Sequence, residues 1–238
     1  MTAPLVSTII MTRRPAFVAG AIAMMRAQTY PNVEVVLGLH GLRAAELPAK
    51  GREALASADR VLELPGSQPL GTCMNMATAA SQGDVIAKID DDDLYGPRYL
   101  DEAVGHLQAG KGDVIGKAEL YVYIAGQREL LLWQPGASKL DQPDIRGATF
   151  VYPRALGERP GYQANTSMDD FYFLEDCAAL GYRFFATSRR GYVLRRLASE
   201  GHHTWLIGDD HFRRNSIVVR RNLADDSPDA LLRMVGGN

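Results

Sequence analysis

Four aspartates, Asp90, Asp91, Asp92 and Asp93, stand side by side inside the stretch AKIDDDDLYGP, residues 87–97. Like charges on consecutive residues repel, so the run needs a reason. One reason is a solvated acidic turn; the other is a bound cation. Side chains alternate along extended backbone, so Asp90 and Asp92 are expected to point the same way. Two converging carboxylates make a hard, oxygen-rich site suited to Mg2+ or Mn2+, ions commonly completed by phosphate oxygens and water. Lys88 lies two residues before Asp90 on the same face of the strand. It can neutralise the cluster, touch a nucleotide, or lay its stem along a sheet edge. Asp93 can cap a helix opened by Pro97.

A second acidic pair, Asp169 and Asp170, opens a predicted helix over residues 168–180, with Ser167 as its N-cap. In a first turn the helix dipole favours the ionised carboxylate, so the pair can cap the helix or supply a general base. His202 and His203 precede Thr204 and Trp205. One imidazole can complete a metal site or bind a phosphate oxygen, or the two form a surface pair. Trp205 can stack on a sugar or pack. Gly147, Ala148 and Thr149 read as a tight approach beside a ligand or as an ordinary strand start. Tyr121 and Tyr123 share a strand face and, with Trp133, line a groove or fill the core.

The elements that position these groups alternate. Residues 5–11, 33–39, 60–64 and 85–89 read as short buried strands. Helical spacing follows over 17–27, over part of 42–58, and over 72–81. Four strand–helix repeats with short links predict an α/β sheet of mostly parallel strands. The Asp run then falls just past the carboxyl end of a strand, where such sheets bind ligands. After Pro97 the pattern changes: a helix over 99–109, a hairpin from 118–125 and 129–133, and strands over 148–152, 183–186 and 192–196. Residues 226–238 read as a flexible tail.

The chain has 238 residues, 46% hydrophobic and 23% charged, enough apolar material for one sizeable domain. Residues 1–97 form one half of it and 98–225 the other. A net charge of −2 gives no support for a nucleic-acid partner. Cys73 and Cys177 lie in apolar helical patterns and read as buried thiols. No apolar stretch reaches the ~20 residues that span a bilayer, and the first strand lacks a signal-peptide pattern. A soluble cytoplasmic protein is the expectation, its oligomeric state open.

Several stretches together resemble the family 2 glycosyltransferases of the GT-A fold. VSTIIMTRRPAFVAGAIAMMRAQTYPNVEVVL (6–37) is similar to that family's opening strand, helix and second strand. SQGDVIAKIDDDDLYGP (81–97) resembles its metal-binding segment, MDDFYFLEDCAALGYRF (168–184) its acceptor-side helix, and GHHTW (201–205) a C-terminal element near the donor. The resemblance implies a Rossmann-like, mostly parallel sheet with helices on both faces and a smaller acceptor-side β/α portion. It implies a sugar moved from a nucleoside-diphosphate donor to an acceptor hydroxyl, with inversion and with Mn2+ or Mg2+.

It also implies roles. Asp92 is the main metal ligand, joined by Asp90 near the donor ribose or diphosphate, and by His203 or His202. Thr12, Arg13, His40, Asn75, Lys88 and Asp91 fall on the donor side. Asp170 is the catalytic base and Asp169 its support, with Gly147, Thr149 and Trp205 on the acceptor side. Two departures concern the nucleobase: Leu39 and His40 stand where the second strand usually ends in acidic residues, and Met74 replaces the arginine before Asn75. Uridine is the expected base. Competing readings are a sugar nucleotidyltransferase, disfavoured because MTRRPAF lacks a glycine-rich phosphate loop, and a non-catalytic nucleotide-sugar-binding module. The acceptor, whether glycan, small metabolite or peptide, is not encoded in any motif.

Overall fold

A computed structural model describes residues 3–140, 143–166, 168–197 and 208–236. The first part runs β1 (Val6–Thr12), α1 (Val18–Arg26), β2 (Val33–His40), α2 (Ala49–Ala54), β3 (Arg60–Leu64), α3 (Leu70–Ala80) and β4 (Val85–Asp90). These boundaries follow the hydrophobic pattern to within about two residues, except in 42–58, where two 3-10 turns flank a six-residue helix. Then come β5 (Leu94–Tyr95), α4 (Tyr99–Gln108), β6 (Val114–Gly116), β7 (Leu120–Ile124), β8 (Glu129–Trp133), β9 (Val151–Pro153) and α5 (Arg154–Glu158). The chain closes with α6 (Asp169–Ala179), β10 (Phe184–Ala186), β11 (Tyr192–Arg196), α7 (Asp209–Arg214), β12 (Ser216–Arg220) and α8 (Pro228–Met234).

The larger sheet has the order β10-β6-β9-β4-β1-β2-β3. β1 pairs in parallel with β2 and β4, and β2 with β3; β9 alone runs antiparallel, between β4 and β6. The central strands are covered on both faces, which is why they read as near-continuous apolar runs. Ile10, Val35 and Leu37 face α1 and α4, whereas Ile9, Val36 and Ile86 face α3, α5 and α6. The second sheet, ordered β12-β8-β7-β11-β5, contains the expected β7–β8 hairpin. β5, which directly follows the Asp run, joins it by antiparallel pairing with β11.

Two expectations change. The strand expected over 148–152 begins only at Val151; Gly147–Thr149 is a 3-10 turn. Two tyrosine hydroxyls hold that turn, Tyr95 donating to the Ala148 carbonyl at 2.6 Å and Tyr99 to that of Thr149 at 2.9 Å. The segment read as a flexible tail contains α8, with Leu231 and Val235 buried beside Leu94 and Val193. Ser227 caps it, accepting a hydrogen bond from the Ala230 amide. Its apolar residues are too few and too late in the chain to register as a period.

Candidate active site

β1, β2 and β4 all deliver their carboxyl ends to one rim, carrying Thr12, His40 and Asp90. β4 ends at Asp90, and the chain turns through Asp91–Asp93. The alternation that would align Asp90 with Asp92 therefore stops at the end of β4.

Asp90 keeps the most open side chain, 42% exposed, with Lys88 Nζ 3.3 Å from its Oδ1. Asp91 is buried, accepts from the Thr12 hydroxyl, and receives two guanidinium nitrogens of Arg14. The same guanidinium donates to Asp92 Oδ2 at 2.7 Å. Asp93 is buried beneath the rim, accepting from the Tyr192 hydroxyl and from the Arg195 amide at 2.9 Å. It does not cap α4, whose N-cap is Arg98. Burial and the neighbouring Asp92 and Asp90 push its carboxyl well above the usual range. Arg195 Nε donates to the Asp92 carbonyl. Arg14 and Arg195 are the two groups that sequence reasoning missed. The only sequence signal for Arg14 is its position two residues past the buried Thr12.

At the ends of β1 and β2, Arg13 meets His40. Arg13 Nε donates to His40 Nδ1 at 3.1 Å, and His40 Nε2 lies 2.9 Å from both a terminal nitrogen of Arg13 and the Gln68 carbonyl. Burial and the adjacent Arg13 charge hold His40 below its ordinary pKa, hence neutral. Asn75 is spent elsewhere, donating to the Tyr162 carbonyl at 2.7 Å and accepting from its amide at 2.8 Å. It fastens a loop to α3.

Lys88 lies on a central strand and is 7% exposed, so it does not extend along a sheet edge. Burial alone would lower its pKa, but the facing Asp90, Asp169 and Asp170 outweigh that and hold it protonated. One buried ammonium thus joins the carboxylates of the β4 tip to those that open α6. Asp169 is buried, its Oδ2 without a hydrogen-bond partner among the described residues. Burial raises its pKa, against the pull of Lys88. Asp170 is half-exposed and reaches over Gly147. A Cβ on Gly147 would meet Asp170 Oδ2 and lie 2.5 Å from its Cβ and Cγ. Glycine is therefore required for this close approach.

Thr149, placed on the acceptor side by the resemblance, is turned inward. Its hydroxyl accepts from the Lys117 amide at 2.8 Å and donates to the Arg146 carbonyl at 2.6 Å. Tyr123 and Trp133 fill the core. Met168, at φ 61°, is the N-cap position of α6 and makes no side-chain cap; Ser167 lies outside the described residues. So do His202, His203 and Trp205. Among the described residues no three His, Cys, Asp or Glu side chains are grouped closely enough to hold an ion. No helix among them is long and apolar enough to cross a membrane. Cys73 and Cys177 are buried and free.

A parallel-centred sheet with an acidic turn at the tip of β4, joined to a second sheet, is a GT-A glycosyltransferase architecture. The profile described as "Glycosyl transferase family 2" matches residues 8–154, and the chain belongs to that family of glycosyltransferases. It is 26% identical over 207 residues to the Bacillus subtilis (strain 168) protein named "Putative glycosyltransferase EpsE", covering 84% of this chain and 72% of that one. It superposes on the mannosyltransferase PcManGT of Pyrobaculum calidifontis, solved with GDP-Man and Mn2+, with a TM-score of 0.62 at 16% identity, over 85% of this chain and 59% of that one. For S. aureus TarS 1-349 with UDP-GlcNAc the TM-score is 0.59 at 14% identity, over 88% and 64% of the two chains. The chain thus spans about three fifths of the length of these solved structures.

Proposed function

We propose that this chain moves a glycosyl group from a nucleoside-diphosphate sugar, a UDP-sugar, to an acceptor hydroxyl with inversion, assisted by Mn2+ or Mg2+. The observation that carries this reading is the convergence of Asp90 and the Asp169–Asp170 pair around the buried Lys88. One acidic arm faces the donor side, and the other opens toward the acceptor side.

The donor set at the β4 tip fits a hard divalent cation. Asp90 and Asp92 offer carboxylate oxygens, Asp90 is open to solvent, and such ions need only one or two protein carboxylates when phosphate oxygens and water supply the rest. A bound divalent ion there acts as a Lewis acid toward the leaving diphosphate. Arg14 holds Asp91 and Asp92 in place. Thr12, Arg13 and the neutral His40 border the rim where the nucleoside docks; relatives of this fold carry both guanosine and uridine donors.

Asp170 accepts the proton of the acceptor hydroxyl as that oxygen bonds to the anomeric carbon. The bond from that carbon to the diphosphate oxygen breaks in the same displacement, which inverts the centre. Asp169, turned inward against Lys88, supports its neighbour and makes no contact with the acceptor.

Asp170→Asn keeps the shape and removes the base. The expected result is a loss of UDP release from a UDP-sugar by about 10²–10⁴-fold, with donor affinity retained. Full turnover in that variant would remove the assignment.

A further inference from the structure

We propose that Tyr95 is a positioning residue that sets the gap between the two acidic arms of the site, a role that rests on reading Asp90 as a donor-side carboxylate and Asp170 as the base. β4 and β9 form an antiparallel ladder that pairs Val85 with Pro153, Ile86 with Tyr152 and Ala87 with Val151. The Lys88 amide continues it, donating to the Phe150 carbonyl at 2.9 Å. In that register the next amide of β4 to reach across is that of Asp90, and its partner is the Ala148 carbonyl. The structure puts one oxygen between them. The Asp90 amide donates to the Tyr95 hydroxyl at 2.9 Å, and that hydroxyl donates to the Ala148 carbonyl at 2.6 Å.

The chemistry of the groups fixes the direction of both bonds. A backbone amide only donates and a carbonyl only accepts, so a phenol, which can do both, is able to join them. The ring is held on two sides. Tyr95 is 1% exposed and is met edge-on by Tyr99, at a centroid distance of 4.9 Å, and by Tyr192, at 5.2 Å. Its backbone pairs with that of Tyr192 on β11. A side chain rooted in the second sheet thus places its oxygen where the ladder of the first sheet stops.

That place is where the two arms part. On one side Asp90 carries the open carboxylate of the β4 tip. On the other, Ala148 follows Gly147, against which the Asp170 carboxylate lies so closely that no Cβ fits. Two hydrogen bonds in series hold the strand tip farther from the turn than the single bond of a continued ladder would. Tyr99 binds the same turn one residue on, donating to the Thr149 carbonyl at 2.9 Å. Transfer needs the leaving diphosphate, the anomeric carbon and the incoming hydroxyl in line. The separation between the arm that grips the donor and the arm that carries the base therefore enters the rate directly.

The test compares Tyr95→Phe, which removes the oxygen and keeps the ring, with Tyr99→Phe, which removes the neighbouring bond to the same turn. Two readouts are taken on the full chain. The first is the 15N–1H signal of Asp90 together with the 13C signal of the Ala148 carbonyl. Both are expected to shift in Tyr95→Phe, and to shift less in Tyr99→Phe. The second is UDP release from the UDP-sugar that stabilises the chain most, with Mn2+ present. Tyr95→Phe is expected to lower kcat by about tenfold or more while donor KM changes less than about twofold. Tyr99→Phe, at a comparable loss of Tm, is expected to lower kcat less than about threefold. An unmoved Asp90 signal in Tyr95→Phe overturns the proposal, as does an unchanged kcat, a raised donor KM at constant kcat, or an equal loss of kcat in the two variants. If Tyr95→Phe fails to fold, 4-aminophenylalanine at position 95, which keeps a polar ring tip, decides. A kcat partly kept supports the role, and a loss equal to that of Asp170→Asn overturns it. Undiminished turnover in Asp170→Asn, or undiminished Mn2+-dependent UDP binding in Asp90→Asn, would instead overturn the reading of the site on which the proposal rests.

Discussion

At the scale of single residues, the four consecutive aspartates are tolerated because none is left to repel its neighbours unaided. Asp91 and Asp92 share Arg14, Asp93 is held by Tyr192 and the Arg195 amide, and Asp90 faces Lys88 and solvent. The same holds at Asp170, where an absent side chain matters as much as a present one. Gly147→Ala places a methyl against the Asp170 carboxylate. Overpacking of this kind costs about 1–3 kcal/mol, which for this chain length lowers Tm by roughly 2–4 °C per kcal/mol. Because the carboxylate itself must move, turnover is expected to fall by about tenfold or more. Calorimetry together with donor-release kinetics checks both. A drop in Tm with unchanged kcat would show that Asp170 is placed by something other than this contact.

At the scale of elements, the carboxyl ends of β1, β2 and β4 make the rim, but the second sheet holds the Asp turn in place. β11 pairs with β5 and presents Arg195 to Asp92 and Asp93. α8 packs behind both strands, with Leu231 against a cluster that contains Leu94 and Val193. Leu231→Ala is therefore expected to destabilise the fold by about 2–5 kcal/mol, read as a lower urea midpoint at unchanged slope. It should also weaken donor binding, because β5 and β11 lose their backing. Unchanged stability would mean that α8 is an accessory to the sheet and not part of its support. α6 shows how local signals end an element: Gly181, at φ 82°, closes the helix as its amide donates to the Ala178 carbonyl at 2.9 Å and that of Tyr182 to Cys177 at 3.0 Å.

At the scale of the whole molecule, donor, cation and fold are thermodynamically linked if the β4 tip is the donor site. UDP and Mn2+ together, at about a hundredfold over the dissociation constant, should stabilise the chain by about 2.7 kcal/mol. That corresponds to a rise in Tm of roughly 5–10 °C. UDP without the ion, or with EDTA, should give a smaller shift. A scan across nucleoside diphosphates also identifies the base. If none shifts Tm in the presence of Mn2+ or Mg2+, the tip does not bind the donor through a cation.

The amino-acid sequence by itself determined the strand–helix alternation, the place of Asp90–Asp93 at a strand end, and the acidic start of α6. Hydrophobic period and charge runs are one-dimensional signals, legible wherever they lie. It overlooked α8 and the turn at Gly147–Thr149, whose patterns are too short to carry a period. Only the tertiary structure decided which cation serves which acid. Arg14 lies 77 residues from Asp91, and Arg195 lies 103 from Asp92. It likewise turned Asn75 and Thr149 to structural duty and brought Asp170 over Gly147. Electrostatic partners are chosen by distance in space, which the order of residues does not encode until the sheets have closed around them.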